Sequence, residues 1–212
     1  MIAYFKKIKS SWVVAILFFW FGFTQAQDNT STFKVQFATG INSPMAQGFV
    51  DGFEAKPINF PTINLGLQYM LSHKFGAKLD LGYNRFSNDK DSNAFKSNYI
   101  RLNLQGVYDA SDIIRFSPRM ATFIHAGPGY SMVRPLDVYG ENKLNFFNAM
   151  AGMEFHYGIN DVLSIYLDGS YIFGFGKAFD QPSDGFGAFN GDMLTVTIGA
   201  SISLSGCYYC ND

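Results

Sequence analysis

The ionisable residues that could support chemistry stand at alternate positions within apolar or small-residue stretches. The set is Lys78, Asp80, Arg101, Glu154, His156 and Asp168. A spacing of two places residues of one strand on the same face of a sheet. Because charges held in a narrow enclosed space must pair or hold water, we predict a polar network in which Lys78 and Arg101 bridge carboxylates. The alternative hypothesis is that exchange among these pairs gates a narrow path for ions or water.

The elements that must position this set are eight stretches that alternate apolar with small or polar side chains, each bounded by turn residues. The last stretch, which ends at Leu204, alternates most regularly. Period-two alternation indicates a β-strand with one apolar face, and several such stretches of about ten residues are typical of a transmembrane β-barrel. We predict strands over residues 32–40, 63–71, 75–84, 100–108, 122–130, 147–157, 163–173 and 194–204, with a bulge at Pro128 in the fifth.

Composition favours the same class of protein. Charged residues make up only 16% of the chain, against about 25% in soluble domains. In hydrocarbon every backbone polar group needs an internal partner, so strands that cross a membrane must close into a barrel. The predicted fold is therefore an all-β, eight-stranded antiparallel up-and-down transmembrane β-barrel. A soluble lipocalin-type barrel is the alternative, and a net charge of −1 gives no reason to expect nucleic-acid binding.

The N-terminal residues have the features of a cleavable export signal. Basic residues at Lys6, Lys7 and Lys9 precede an apolar run from Trp12 to Phe23, and small residues follow near Ala26. The run is shorter than the roughly 20 residues of a membrane-spanning helix, which disfavours the alternative of an uncleaved anchor. The predicted organisation is a signal peptide over 1–26, an outer-membrane β-barrel over 27–204 and a periplasmic tail over 205–212.

The lengths of the connections predict an orientation. The turns after strands two and six are short, the connection after strand four is moderate, and the loops after strands one, three, five and seven are longer. In outer-membrane barrels the short turns face the periplasm and the long loops face outside. We therefore expect a bacterial outer-membrane location with both mature termini in the periplasm.

Three sequence segments resemble the transmembrane domain of the outer membrane protein A family and related small outer-membrane barrels, particularly those of Bacteroidetes-type bacteria. They are residues 75–83, residues 126–130 and an assembly-signal pattern that contains Thr197, Gly199, Ile202 and Leu204. The resemblance implies that the barrel-assembly machinery inserts the protein and that outer-membrane lipid and lipopolysaccharide surround it. Residues after Leu204 contain no peptidoglycan-binding domain, so wall anchoring is not expected.

Two further groups of residues suggest contacts. The loop after strand seven carries Phe175, Phe179, Phe186 and Phe189, which either pack over the barrel mouth or meet a partner protein. Cys207 and Cys210 follow the last strand, and an oxidising compartment favours a local disulfide between them. A bridge to a periplasmic partner is the alternative for this pair.

Catalytic and metal-binding patterns are sparse. A lipid-modifying enzyme would need a His beside Ser or Asp near the outer rim, whereas we expect His73 in a turn, His125 at mid-barrel and His156 near the inner end of its strand. Residues 89–93 resemble half of a calcium loop, but Ala94 replaces the required Gly. We predict no catalytic residues, no metal and no cofactor.

Three functional hypotheses follow from these patterns. The first is a non-enzymatic outer-membrane barrel with a structural, adhesive or narrow-permeability role in the envelope. The second is an accessory subunit of an outer-membrane secretion or barrel-assembly complex, and the third is an enzyme that modifies lipid A. An eight-stranded barrel encloses a lumen only wide enough for side chains, which disfavours a wide diffusion pore.

Overall fold

The structure is a computed structural model that describes residues 33–114 and 116–204. The predicted export signal and the predicted disulfide of Cys207 and Cys210 lie outside the described residues. Within the described ranges, no helix is both long and apolar enough to span a membrane.

Eight antiparallel strands pair in chain order, and the last strand pairs with the first to close the sheet. This arrangement confirms the predicted eight-stranded up-and-down barrel. The strands are β1 Phe33–Pro44, β2 Asn59–Met70, β3 Phe75–Ser87, β4 Lys96–Asp109, β5 Met120–Pro135, β6 Leu144–Gly158, β7 Leu163–Gly174 and β8 Met193–Ser203. We call the end where β1 begins the turn end and the opposite end the loop end. The β4–β5 connection at the turn end, residues 110–119, is longer than the β3–β4 connection, residues 88–95, and the β5–β6 connection, residues 136–143, which corrects the predicted order of lengths.

Most strands extend further toward the loop end than the sequence predicts. β5, for example, continues from the predicted end at Tyr130 to Pro135, and β6 begins at Leu144 instead of Phe147. The apolar alternation fades there because Arg85, Asn98 and Arg134 occupy outward positions while their backbones still pair. The alternation of apolar residues therefore predicts where the apolar part of each strand lies, but not where its backbone hydrogen bonding ends.

The strand register is staggered around the barrel. Following paired residues once around from Phe33 returns to β1 at Ser43, ten positions further along. A stagger of this kind accompanies strands tilted by roughly 35–45° to the barrel axis. The barrel is therefore narrow enough for side chains to fill its interior.

The predicted bulge at Pro128 is wrong. The pairing of β5 with both neighbours keeps one register past this residue. The ladder with β4 opens between the pairs Asn103–Gly129 and Gly106–Ala126, so the missing proline N–H is accommodated without an extra residue. The register shift in the barrel lies instead between Gly40 and Asn42, where β1 pairs with β2.

The two faces of the sheet differ as predicted. Outward positions form a belt of exposed apolar side chains, which includes Leu65, Leu67, Leu79, Leu81, Leu102, Leu104, Ile165, Leu167 and Ile198. Inward positions carry mostly polar side chains. Thr122 is an exception, because period two places it on the outward face with Ile124, yet it is only 1% exposed. The turn after β4 covers it, and its hydroxyl donates to the carbonyl of Ile114 at 2.8 Å.

Gly199 lies on the seam where β8 pairs with β1. A Cβ atom at this position would lie 2.3 Å from the carbonyl oxygen of Phe37 and 2.6 Å from the Cβ of Ala38. Backbone at that distance cannot move aside without breaking the ladder. The glycine of the predicted assembly signal therefore has a direct steric role in closing the barrel.

We expect Gly199→Val to reduce strongly the yield of the closed barrel, because its side chain would push β8 away from β1. Heat-dependent gel migration of the refolded protein measures this yield. Gly169→Val is the matched control, since a Cβ atom at Gly169 meets nothing within 4 Å. Equal yields for both variants would contradict the steric role of Gly199.

Candidate functional site in the barrel interior

Arg101 stands at the centre of the barrel interior. Its guanidinium donates to the carboxylate of Asp80, and its Nη2 donates to Oδ1 of Asn64 at 3.1 Å. Gly82 makes room for this side chain, because a Cβ there would lie 2.6 Å from Nε of Arg101. Both charged groups are fully buried, so each one depends on the other for compensation of its charge.

Lys78 joins this pair to a second carboxylate. Its ammonium donates to Glu154 and lies 3.9 Å from Oδ1 of Asp80. Glu154 also accepts a hydrogen bond from Nε2 of Gln36 at 3.1 Å, and its Oε2 lies 2.7 Å from Nε2 of His156. One lysine thus links the two buried carboxylates.

Asp168 occupies the opposite wall. Its Oδ2 lies 2.9 Å from Nε2 of His125, and its Oδ1 accepts a hydrogen bond from the hydroxyl of Ser170 at 2.7 Å. Oxygen atoms of Glu154 and Asp168 and a ring nitrogen of His125 all fall within 4.8 Å of one another. The structure therefore brings the six predicted network residues into one buried cluster, which we call the lumen network.

Sequence reasoning left two members out of this network. His125 bonds to Asp168 directly, and Lys34 lies deeper toward the turn end, with its ammonium 4.6 Å from the centre of the Phe123 ring. Both residues occupy inward positions of the alternating pattern, and that position alone could have predicted them as members of the network. With Lys34 counted, three buried cations and three buried carboxylates lie in the interior among the residues that the structure describes, so the network is close to neutral.

Neutral side chains extend the network toward the loop end. Nδ2 of Asn103 donates to Oδ1 of Asn148 at 2.5 Å, and Nδ2 of Asn148 donates to the hydroxyl of Ser131 at 2.7 Å. The Ser131 hydroxyl also lies 2.6 Å from that of Tyr99. The polar filling is therefore continuous along most of the barrel axis.

The cluster of His125, Glu154 and Asp168 has donor atoms that suit a divalent metal. Most of these donors are already engaged, however, because Lys78 neutralises Glu154, both oxygens of Asp168 have hydrogen-bond partners and Nε2 of His125 is one of those partners. Nδ1 of His125 is the exception, since it is buried without a hydrogen-bond partner in the described structure. A cation placed there would meet the ammonium of Lys78. The donor set fits an internally paired network better than a metal centre.

Ser164, His156 and Glu154 follow the order of a nucleophile, base and carboxylate triad. Oγ of Ser164 lies 3.2 Å from Nδ1 of His156, whose Nε2 faces Glu154. Such a triad needs room for an acyl group at the hydroxyl. Ser164 is only 3% exposed and points into the filled interior, so no substrate reaches it in this conformation.

Aromatic side chains close the turn end. The rings of His156 and Tyr166 stack with their centres 4.8 Å apart, and Phe123 meets His156 edge-on at 5.1 Å. Phe123 also joins a small buried apolar cluster with Met70, Val107 and Ala121. The turn end is therefore packed with side chains directly below the charged groups.

A larger aromatic cluster, the aromatic cap, closes the loop end. Phe189 lies at its centre, with its ring 4.8 Å from Phe49, 5.4 Å from Phe86 and 6.2 Å from Tyr99. The cap combines strand residues with residues from all four loop-end connections. Its aromatic members are Phe49, Phe53, Phe86, Phe95, Tyr99, Tyr139, Phe146, Phe186 and Phe189.

The four phenylalanines singled out in the last loop have different surroundings. Phe189 is fully buried in the aromatic cap, and Phe186 stacks on Phe53 with ring centres 5.0 Å apart. Phe179 is half-buried beside Gly185. Phe175 is 62% exposed and continues the outward face of β7. Two of the four thus cover the barrel mouth, and Phe175 stays accessible from outside.

The predicted assembly-signal residues lie on both faces of β8 and just beyond it. Thr197 is buried and faces inward, Gly199 lies on the seam with β1, and Ile202 and Leu204 are exposed on the outward face. The segment therefore presents its apolar side chains outward and closes the sheet with its small residue.

Comparison with known proteins shows that the chain is similar in fold to solved structures. No family model matches the chain, and no curated protein sequence matches it. A major outer membrane protein from Thermus thermophilus has a TM-score of 0.61 at 11% identity, covering 82% of this chain and 100% of that one.

Two further solved structures are similar. Neisserial surface protein A has a TM-score of 0.54 at 12% identity, covering 81% of this chain and 96% of its own. The N-terminal β-barrel domain of Pseudomonas aeruginosa OprF has a TM-score of 0.51 at 11% identity, covering 82% of this chain and all of its own. The chain therefore has the fold of small eight-stranded outer-membrane β-barrels.

Proposed function

We propose that this protein is an integral outer-membrane β-barrel with a closed interior, and that it serves the envelope as a non-enzymatic, non-conducting structural component that presents folded loops. The observation that carries this proposal is the double closure of the interior. Paired charges fill the middle of the barrel, and the aromatic cap covers the loop end. A continuous water path would need both to open.

The exterior supports the membrane location. Leucine and isoleucine side chains form a continuous exposed belt around the barrel, and in water such a belt would be an aggregation hazard. Aromatic residues at the loop end of this belt include Tyr83, Tyr130, Phe147 and Phe173, as expected where hydrocarbon meets head groups. We place both mature termini in the periplasm, because β1 begins and β8 ends at the turn end.

The finer family assignment is part of the proposal. Residues 75–83 and 126–130 and the assembly-signal pattern support a relationship to the outer membrane protein A group of Bacteroidetes-type bacteria. By that relationship the barrel-assembly machinery would recognise β8 and the residue that follows it, since Ile202 and Leu204 remain exposed for such a contact.

We propose a non-enzymatic role because a substrate has no access to the Ser164 hydroxyl. The Ser164–His156–Glu154 arrangement faces the interior, and Lys78 already pairs with its carboxylate. We therefore expect an active-site fluorophosphonate probe to leave the folded protein unlabelled. Labelling that disappears in Ser164→Ala would contradict a purely structural role for this serine.

A second candidate is an accessory subunit of an outer-membrane secretion or barrel-assembly complex. The exposed Phe175 and the 85% exposed Val138 at the loop end favour it. Affinity purification in mild detergent distinguishes the two candidates. A stoichiometric partner lost in Phe175→Ala would support the subunit, whereas purification of the barrel alone supports the leading proposal.

Planar-bilayer recording tests the leading proposal. We expect no defined single-channel openings from the wild-type protein. We also expect none from Arg101→Gln, because Lys78, Glu154 and the aromatic cap still block the lumen. Defined wild-type openings would contradict the closed barrel, and openings that change in Arg101→Gln would assign Arg101 to a gate.

Boiled and unboiled samples on a denaturing gel test the membrane barrel itself. We expect the unboiled mature protein to migrate faster in detergent, together with a β-type circular dichroism spectrum. Ready solubility without detergent and no change on boiling would overturn the membrane assignment.

A further inference from the structure

A groove of about 190 Å³ opens on the outside of the barrel at the loop end, between the ends of β2, β3 and β4. Basic and apolar side chains line it together. Its lining residues are Lys56, Ile58, Asn59, Phe60, Arg85, Phe86, Ser87 and Lys96. Three of them are cations and none is a carboxylate, so the groove has an electrostatic preference for an anion.

The groove is held in shape by hydrogen bonds of its own. The N–H of Lys56 donates to the carbonyl of Ser87 at 3.0 Å. The side chain of Asn59 donates to the carbonyl of Lys56 at 2.7 Å and accepts from the N–H of Ser87 at 3.1 Å. The loop that carries Lys56 is thus fixed against the end of β3, and a ligand would meet a preformed site.

Arg85 is oriented toward a ligand by its neighbours on the sheet. Its Nε donates to Oδ1 of Asn98 at 2.9 Å, and its guanidinium lies 6.0 Å from the ring centre of Tyr83. Within the described ranges, Lys56, Arg85 and Lys96 form no ion pair. The two terminal nitrogens of a guanidinium held in this way can bind two oxygens of one phosphate.

The apolar part of the lining indicates what accompanies the anion. Ile58 is 65% exposed and Phe60 is 70% exposed, both on the outside of the barrel beside the cations. Tyr83, two residues below Arg85 on β3, belongs to the aromatic boundary of the apolar belt. A ligand of this groove therefore combines a phosphate at the head-group level with a hydrocarbon chain that points along the barrel wall.

We propose that this groove binds the phosphorylated head group of an outer-leaflet glycolipid, the lipid A part of lipopolysaccharide, with an acyl chain lying against Ile58 and Phe60. This inference rests on the proposed outer-membrane location. The phosphate lies between Arg85, Lys56 and Lys96, and the glycolipid is thereby held at one position on the barrel circumference.

The test is native mass spectrometry of the folded mature protein titrated with lipid A in a non-ionic detergent. The test variant is Lys56→Gln/Arg85→Gln/Lys96→Gln. Its matched control is Lys90→Gln/Lys143→Gln/Lys177→Gln, which removes three exposed loop cations outside the groove. A charge-assisted contact contributes roughly tenfold in affinity, so we expect a loss of about a hundredfold or more in the test variant and little change in the control. Arg85→Lys keeps the charge but not the planar fork, and we expect an intermediate loss.

Three results would overturn the proposal. The first is equal lipid A affinity for the test and control variants. The second is equal affinity of the wild-type protein for lipid A with and without its phosphates. The third is full displacement of lipid A by excess inorganic phosphate, which would make the groove a free-phosphate site. Heat-dependent gel migration of each variant separates these results from failure of the proposed function. A variant that still migrates as a closed barrel but fails the binding test refutes the groove alone, whereas loss of the barrel in the wild-type protein refutes the membrane assignment.

Discussion

Arg101→Met is expected to lower the free energy of unfolding by about 3–5 kcal/mol, because removing one partner leaves a buried charge uncompensated. Asp80 would then keep only Lys78, whose ammonium is 3.9 Å away and is already bonded to Glu154. Urea unfolding of the refolded protein in detergent measures this loss. Circular dichroism is the suitable signal, since both tryptophans, Trp12 and Trp20, lie in the predicted export signal.

The control for this prediction is the double variant Asp80→Leu/Arg101→Met. Replacing a whole buried ion pair by apolar groups is often neutral or stabilising, so we expect the double variant to recover most of the stability that Arg101→Met loses. If Arg101→Met unfolds at the same urea concentration as the wild type, the lumen network does not hold the barrel interior together.

Phe189→Ala is expected to destabilise the aromatic cap by about 3–5 kcal/mol, the usual cost of deleting a buried phenyl ring. The ring is 0% exposed and contacts Phe49, Phe86 and Tyr99 from three different elements. Because Phe189 lies in the β7–β8 connection, outside the strand ladders, the loss should stay local. We expect faster tryptic cleavage in the β7–β8 loop, at Lys177, with unchanged heat-dependent migration of the barrel.

Phe175→Ala controls for this result. Phe175 belongs to the same loop segment but is 62% exposed and outside the cap, so its removal should leave the cleavage rate at Lys177 near that of the wild type. Similar rates in Phe189→Ala and the wild type would show that the cap does not fix the loop. A loss of barrel migration in Phe189→Ala would show that the cap and the barrel unfold together.

The barrel itself could be predicted from the sequence. A strand with one apolar and one polar face alternates apolar and polar residues with a period of two, and this alternation can be read from a single sequence. The last strand, from Met193 to Ser203, shows this directly, since Thr195, Thr197 and Ser201 are buried while Val196 and Ile198 are exposed. The lumen network was predicted for the same reason, as inward positions in a narrow barrel have nowhere else to place a charge.

The cap could be predicted only in part, because packing of the last-loop phenylalanines over the barrel mouth is one of the two alternatives that the sequence offers, and the groove could not be predicted at all. Both depend on contacts between segments far apart in the chain. Phe53 and Phe186 stack across the loop end with more than a hundred residues between them, and no periodicity marks such a pair. Similarly, Lys56 lines the same groove as Arg85 only because its loop folds back onto Ser87 at the end of β3. The error at Pro128 has a local cause, because a strand can omit a ladder hydrogen bond and still keep its register.

The closure of β8 onto β1 bears on how the chain folds. Until Met193–Ser203 are in place, β1 and β7 each present a row of unpaired backbone groups, and such edges pair readily with other chains. Every intermediate in which the first and last strands have not yet paired can therefore aggregate. The contacts that complete the sheet join residues at opposite ends of the barrel sequence. Assembly should accordingly be slow, with the seam at Gly199 as its final step and protection of the open edges of β1 and β7 as its main requirement.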